Sequence, residues 1–571
     1  MSKEVTGTIL MPKEGFSWKA FAQMAILLSI LTIGAIYGVV YRVTISTPEV
    51  MNALNLHVGS TYSLLAKDYD YIIAHPLGDN TITCMQNGTT GVLDGYSSNA
   101  SANGNNALGN LTGTSLQKIL FKDDFTFDSP LLVRSSYVKL TIDGTITLAS
   151  GVNDYAIKSV GSLTDVTIEG GILQCNSAGQ TAGGGIFFSN GVGRLTIRDT
   201  KIWYPYAYGI YIDGGGSRDA WVQNIQVYYA GSIGIVCSGG RNVFISGCGV
   251  YNATIEGFRI YNPNDYRAIY KLTDNEVYGG CTLAGYKFDC ESHYAVMIAT
   301  DCSVTDTLEM GFQNLHGKAI LTGCHTYGTY HAGFSLEDGS WGCELHGCVS
   351  RGTKAAPPSV DQHGVDVVKT ENVFIDGGSF ENMADAGIEI YDSNNTRIIG
   401  VTCTNNSQDA TDNTYSGIVI RATAGYNVQN TTIIGACLLD TQAVPTQTYG
   451  IREWNDGGTV NSTTISTCTF SGNPTIVSVA TGSHPIFDCN IGFVTENTIL
   501  NVANTTATTF VFNHGCASTV NSVQCSFDLT IGFTWTWTST TTQVTVTVTP
   551  HAGVTLPATM HILSADEKYI P

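Results

Sequence analysis

Two carboxylates hold the same place in consecutive copies of a short phrase: Asp366 in G-V-D-V from Gly364, and Glu389 in G-I-E-I from Gly387. If the copies stack as adjacent strands about 4.8 Å apart, the carboxyls approach the roughly 5 Å separation of a retaining glycosidase. Proximity would then raise one pKa and leave an acid beside a base. His363, Tyr391 and Arg452 fall close enough in the same phrase set to assist. Against catalysis, solvated acidic residues are common on an acidic chain, and the same position one copy either side holds Ser335 and Val419.

A second group is cationic. Arg259 in G-F-R-I and Lys287 in G-Y-K-F-D share that phrase position, and Asp289 follows two residues on. A lyase would need an Arg or Lys as base and carboxylates to hold calcium against a uronate, so calcium is the one ion this chemistry would recruit. Aromatic residues form a third group, with Trp203, Tyr204, Tyr206, Tyr208, Tyr211, Tyr228 and Tyr229 crowded into two copies. Aromatic faces stack on sugar rings while tyrosine hydroxyls bond to them. The candidate glycan contacts are Tyr204, Tyr206, Tyr208, Tyr211, Arg259, Lys287, Tyr391 and Arg452. The alternative for the tyrosines is packing beneath the loops of those copies.

No C-x-x-C pair, H-E-x-x-H or C-x-x-C-H occurs, so no metal site is predicted. His316, His325, His331, His346 and His363 read as scattered surface residues.

The elements that must position these groups are written in a double repeat. One phrase is β-branched and closes on Gly or Cys, as in V-T-I-E-G from Val166, V-F-I-S-G-C from Val243 and T-I-I-G-A-C from Thr432. The other is Gly followed by alternating apolar residues, from Gly209, Gly234, Gly257, Gly285, Gly333, Gly364, Gly387 and Gly417, with weaker copies from Gly311 and Gly450. Members of the second set recur roughly every 22 to 33 residues, the irregular period of a solenoid with loops of varying length. Each phrase is a short strand with one buried face. The 63 glycines, with Asn, Asp and Ser, supply positive φ and turns between strands. No coil buries its own apolar face, so roughly thirteen must stack over residues 137–482.

These phrases resemble the right-handed parallel β-helix of the pectate-lyase-like superfamily, over roughly 60% of the chain. The resemblance implies the fold and an exposed sheet face on which lyases, hydrolases and tailspikes lay extended glycans. It does not fix an activity. Pectate-lyase signatures are not recognisable, and the polygalacturonase pattern is absent, since His363-Gly364 is followed by Val365 and Asp366. Upstream, Y-D-Y-I-I from Tyr69, N-G-T-T-G from Asn87, and the stretches Leu116 to Phe127 and Leu140 to Leu148 are similar to the entry segment of archaeal membrane-anchored surface β-helix proteins. In those families a hairpin and a short helix cap the first coil, which places the helix here at Ser115 to Ile119.

Residues 20–42 read as a transmembrane anchor. Ala20 to Tyr41 carries no charge and is long enough to cross a bilayer of roughly 30 Å. Lys3, Lys13 and Lys19 place residues 1–19 in the cytoplasm and the body outside. A cleaved signal peptide and a pilin-like leader are the alternatives. Residues 43–136 read as linker and cap, 137–482 as the parallel β-helix, and 483–571 as a small antiparallel β-sandwich. That last part holds T-W-T-W-T and Q-V-T-V-T-V-T and would cap the final coil. The fold class is therefore all-β.

The formal net charge of -20 argues against nucleic acid as a partner. Sequons at Asn87, Asn99, Asn110, Asn252, Asn394, Asn405, Asn430, Asn461 and Asn504 are candidate glycosylation sites, in number close to chance for so Asn- and Thr-rich a chain. Of the 16 cysteines, Cys248, Cys302, Cys324, Cys348, Cys403, Cys437 and Cys468 share a phase that stacks them inward as small hydrophobes. Cys281 with Cys290, Cys343 with a neighbour, and Cys516 with Cys525 are the better disulfide candidates.

The leading expectation is a membrane-anchored extracellular protein that binds glycans or surface partners, as an adhesin or envelope component. A glycoside hydrolase or polysaccharide lyase acting on the exposed sheet is the alternative, and a filament or virion component the third. A homo-oligomer is compatible with the coil, as in trimeric tailspikes, but nothing in the sequence fixes it.

Overall fold

The computed structural model describes residues 68–75, 81–90, 93–189, 191–214, 219–263, 267–291, 294–352, 362–408, 416–480, 483 and 485–488, and the backbone of further strands between 499 and 565. Each coil supplies three short strands to three parallel sheets, here sheets I, II and III. In one coil these are Val166–Glu169, Ile172–Gln174 and Ile186–Phe188, pairing in register with Leu195, Lys201 and Ile210 of the next. The β-branched phrases form sheet I, and the glycine phrases form sheet III. Sheet II is a run of 14 strands between Phe125–Phe127 and Thr469–Ser471.

The corner from sheet I to sheet II is two residues long. Its first residue is left-handed, and Asp199, Asn224, Gly247, Asp274, Asp301 and Gly323 take φ of 51° to 62° there. Those are the residue types that tolerate that conformation. Its second residue points inward, and there Cys248, Cys302, Cys324, Cys348 and Cys468 are buried free thiols. Cys403 is buried on a sheet II strand, whereas Cys437 is only half-buried, because its corner is Gly435 and Ala436. Cys281, Cys290 and Cys343 are also buried and free, which corrects the disulfides expected between the first two and at Cys343. The intervening strand Ala284–Cys290 is extended over roughly 20 Å, several times the Cα separation a disulfide spans. Cys516 lies outside the described residues, as does the side chain of Cys525.

The glycines that open the sheet III phrases serve close approach, not positive φ. A Cβ on Gly257 would stand 2.5 Å from Val277 Cγ2 and 2.6 Å from the Gly285 carbonyl; on Gly364 it would stand 2.4 Å from the Gly387 carbonyl. Next to them inside the coil, Phe258, Tyr286, Phe312 and Phe334 stack with centroids 4.5–5.3 Å apart and planes within 15°. This fully buried column stiffens the coils that carry the outer face of sheet III.

Coil strands begin at Gln117–Phe121, ahead of residue 137, and pair with Val138–Ile142. Tyr71–Ala74 adds to that strand and turns back antiparallel on Thr83–Asn87. The capping helix is Ala100–Gly109, not Ser115 to Ile119. Asn99 caps it, accepting from the Ala102 N–H at 2.8 Å, and Leu108 and Ala107 close the core. The sequence of this helix is mostly Ala, Asn and Gly, so the face it buries carries little apolar periodicity.

Past the last coil, Thr509–Asn513 and Phe533–Ser539 flank Gln543–Pro550, and Ile499–Val502 and Ser522–Phe527 flank Thr559–Ala565, all antiparallel. The single-pass membrane location expected from the sequence is corrected: among the described residues no helix is long and apolar enough to cross a membrane. The segment Ala20 to Tyr41 lies outside the described residues.

Candidate functional site

The outward position of sheet III forms one ladder, and each rung is fixed by strand register. It runs Tyr211, Val236, Arg259, Lys287, Gln313, Ser335, Asp366, Glu389, Val419 and Arg452. Two residues further along each strand lies a second rung position, holding Asp213, Ser238, Tyr261 and Asp289 in the upper coils, and a register shift brings His316, three residues after Gln313, opposite Asp289. In the lower coils it holds Val368, Tyr391, Arg421 and Trp454.

Asp366 and Glu389 are therefore direct neighbours, but they are not bare solvated acids. They are 7% and 8% exposed, and His363 beside them is 3% exposed. His363 Nε2 lies 3.0 Å from Glu389 Oε2. Burial opposes the imidazolium, but the Glu389 carboxylate, with Asp366 and Asp385 behind it, outweighs burial and raises the His363 pKa to about 10. Burial likewise opposes the Glu389 carboxylate, yet His363, Arg421 and His331 together hold its pKa below the ordinary value. The Ala386 N–H approaches His363 Nδ1 at 3.3 Å, a long contact that favours the neutral ring and is the weaker influence. His363 thus corrects the surface reading of the histidines: it sits three residues before the ladder position, where it reaches the next coil.

Below the triad the face turns cationic and aromatic. The Arg421 guanidinium lies 5.3 Å from the Tyr391 ring and 4.3 Å from Trp454, and it binds Asp456 at 2.6 Å. Arg452 lies 4.5 Å from Trp454 and 5.3 Å from Tyr449. Two guanidiniums thus share one indole. Arg421 and Trp454, absent from the sequence candidates, occupy the second rung; the alternation R-A and E-W-N after the phrase was the available signal.

Four coils above Asp366, Arg259 and Lys287 are adjacent on the ladder. Glu256, three residues before Arg259, stands 3.9 Å from the Arg259 Nε and 3.7 Å from the Lys287 Nζ. It is fully buried, and neither carboxylate oxygen makes a hydrogen bond. Glu256 was not among the sequence candidates either, since the residue before Gly varies from coil to coil.

The tyrosines do not form one site. Tyr208 and Tyr211 lie on sheet III, 5.1 Å apart, in a row with Phe187 and Tyr155. Tyr204 is itself the left-handed residue, with φ of 51°, that ends its sheet II strand, and it stacks on Tyr229 at 5.0 Å. Tyr206 is exposed on the connection between the two sheets. Trp203 and Tyr228 are on sheet II itself. The corner separates side chains that the sequence crowds together.

Among the described residues no group of three or more His, Cys, Asp and Glu is placed to hold a metal. Asn99 and Asn430 already donate their amide nitrogens, to Asp128 and Asn395 respectively. Asn110 caps the C-terminus of the helix, Asn87, Asn252, Asn394, Asn405 and Asn461 lie at strand ends and corners, and Asn504 is outside the described residues.

No family model and no curated protein matches the chain. Solved structures do. The A-module of the Azotobacter vinelandii mannuronan C-5 epimerase AlgE6 is 14% identical with a TM-score of 0.40, covering 69% of this chain and 95% of that one. The Dettilon tailspike protein gp208 is 12% identical with a TM-score of 0.43, covering 82% and 90%. The periplasmic alginate epimerase AlgG is 11% identical with a TM-score of 0.37, covering 60% and 77%. These are parallel β-helix proteins, and at such identities the likeness ends at the fold. None supports the expected kinship with archaeal surface proteins.

Proposed function

We propose that the outer face of sheet III binds an extended, carboxylate-bearing polysaccharide along the coil axis. The observation that carries this reading is the lower end of the ladder, where Arg421 and Arg452 bracket Trp454 beside Tyr391 on a chain of net charge -20. Cations gathered on one face of an acidic protein favour an anionic partner. Rings between them offer sugar a flat apolar surface. A polymer suits the site because the ladder continues through every coil.

A second reading, modification of the bound glycan, is favoured by one feature: His363, Asp366 and Glu389 put a charged imidazole and two carboxyls within one coil step. In that case Glu389, held ionised, is the nucleophile or base, and the proton donor is Asp366 or His363. Incubation with galacturonan, alginate and neutral glucan, with and without calcium, separates the readings. Retention of the acidic polymers without new reducing or unsaturated ends supports binding alone. Product that disappears in Asp366→Asn and Glu389→Gln supports turnover. Equal retention of neutral glucan would sink the anionic specificity.

A further inference from the structure

Glu256, Arg259 and Lys287 occupy the same three positions in their coils as His363, Asp366 and Glu389 do four coils away, with the charges exchanged. In the lower triad the central group closes on its partner at 3.0 Å. In the upper triad it does not: Glu256 stands 3.7 and 3.9 Å from its cations, beyond hydrogen-bonding range, and both its oxygens are buried and unbonded. The cations keep their donors for other use. The Arg259 side chain is 34% exposed and reaches over the Tyr261 ring, while that of Lys287 is 15% exposed.

We infer that Glu256 is an internal counter-ion, discharged by protonation when a carboxylate-bearing sugar settles on Arg259 and Lys287. The ligand carboxylate takes charge-assisted hydrogen bonds that Glu256 does not make. Arg259 and Lys287 then no longer need Glu256, and a buried carboxylate without a close partner is expensive. Glu256 therefore takes one proton from solvent and stays in place as a neutral acid. Burial already pushes its carboxyl in that direction and Asp289 adds to it, while Arg259 and Lys287 oppose. The other groups facing it are Cys281 in the turn before the Lys287 strand, and the apolar Ile233 and Ala284, its register partners on the strands either side. The subsite lies roughly 19 Å from Asp366 at ~4.8 Å per coil, so one chain of a few sugar units can touch both. This deepens the reading of sheet III as an anionic-glycan face and rests on it for the length of the ligand only.

The test is calorimetric titration of the full chain with galacturonate hexamer and with galacturonate monomer, in buffers of different ionisation enthalpy near neutral pH. Binding should take up about one proton and strengthen as pH falls. Glu256→Gln should abolish the uptake and bind more tightly at neutral pH; Arg259→Gln should weaken binding at least about tenfold, with thermal melts confirming that both variants fold. Hexamer binding without proton uptake overturns the counter-ion proposal and leaves the glycan face standing. Monomer binding with uptake, and hexamer no tighter, upholds the proposal and defeats the polymer reading. If neither ligand binds, or if uptake survives in Glu256→Gln, the proposal fails.

Discussion

The two triads on sheet III use one set of positions to opposite ends. In the lower one, His363 and Glu389 meet at 3.0 Å and each stabilises the charged form of the other against burial. In the upper one, Glu256 is as buried but stands off from Arg259 and Lys287, and its carboxyl is pushed toward neutrality. A parallel β-helix therefore fixes where a side chain sits, while the side chain's reach decides whether a buried charge is closed or poised. The closed pair resists loss of either partner. The poised acid tolerates it.

The largest expected effect breaks the closed pair. His363→Ala leaves Glu389 buried without its partner and should cost ~3–5 kcal/mol in urea unfolding. Adding Glu389→Gln should recover ~0.5–3 kcal/mol, the coupling expected of groups in contact. A cost no larger than that of a surface alanine would refute the pairing.

The pH dependence sharpens the contrast. The folded pKa of His363 is raised from 6.5 to about 10, so its contribution is complete below pH 6.5 and is lost as pH rises toward 10. Glu389 is lowered, so its contribution is present above 4.5 and lost as pH falls through its folded pKa. Glu256 is raised, so its contribution is complete below 4.5 and lost as pH rises through its folded pKa. Stability differences of wild type against Glu389→Gln and against Glu256→Gln, followed over about pH 3 to 7, should slope in opposite directions. Parallel slopes would erase the distinction between the triads.

Trp454→Ala removes the ring shared by Arg421 and Arg452 and should weaken retention of an acidic polysaccharide roughly tenfold, for ~1–2 kcal/mol of cation–π and stacking contact. Unchanged retention would move the binding face away from the lower coils. The smallest effect is on folding in Glu256→Gln: within ~1 kcal/mol of wild type at neutral pH, because an amide carries no charge to desolvate. A loss of several kcal/mol would show Glu256 to be a closed partner after all.

Much of this was legible in the chain itself. Spacing of the glycine phrases placed Asp366 beside Glu389 and Arg259 beside Lys287, and strand register bears out both. That works because a parallel β-helix maps equal phrase positions onto one ladder, so a one-dimensional repeat determines a two-dimensional surface. The inward phase of Cys248, Cys324, Cys348 and Cys468 was readable for the same reason. What the repeat does not encode is how far a side chain reaches between coils or where a corner turns the chain. Tertiary structure alone decided that His363 leaves the surface to pair with Glu389, and that Glu256 lies buried between two cations. It alone parted Tyr204 from Tyr208 at a left-handed corner. It also made the phrase glycines a matter of clearance to the next coil, as at Gly257, and moved the cap to Ala100–Gly109. Each of these depends on distances across coils, which sequence separations of 20 to 30 residues do not carry.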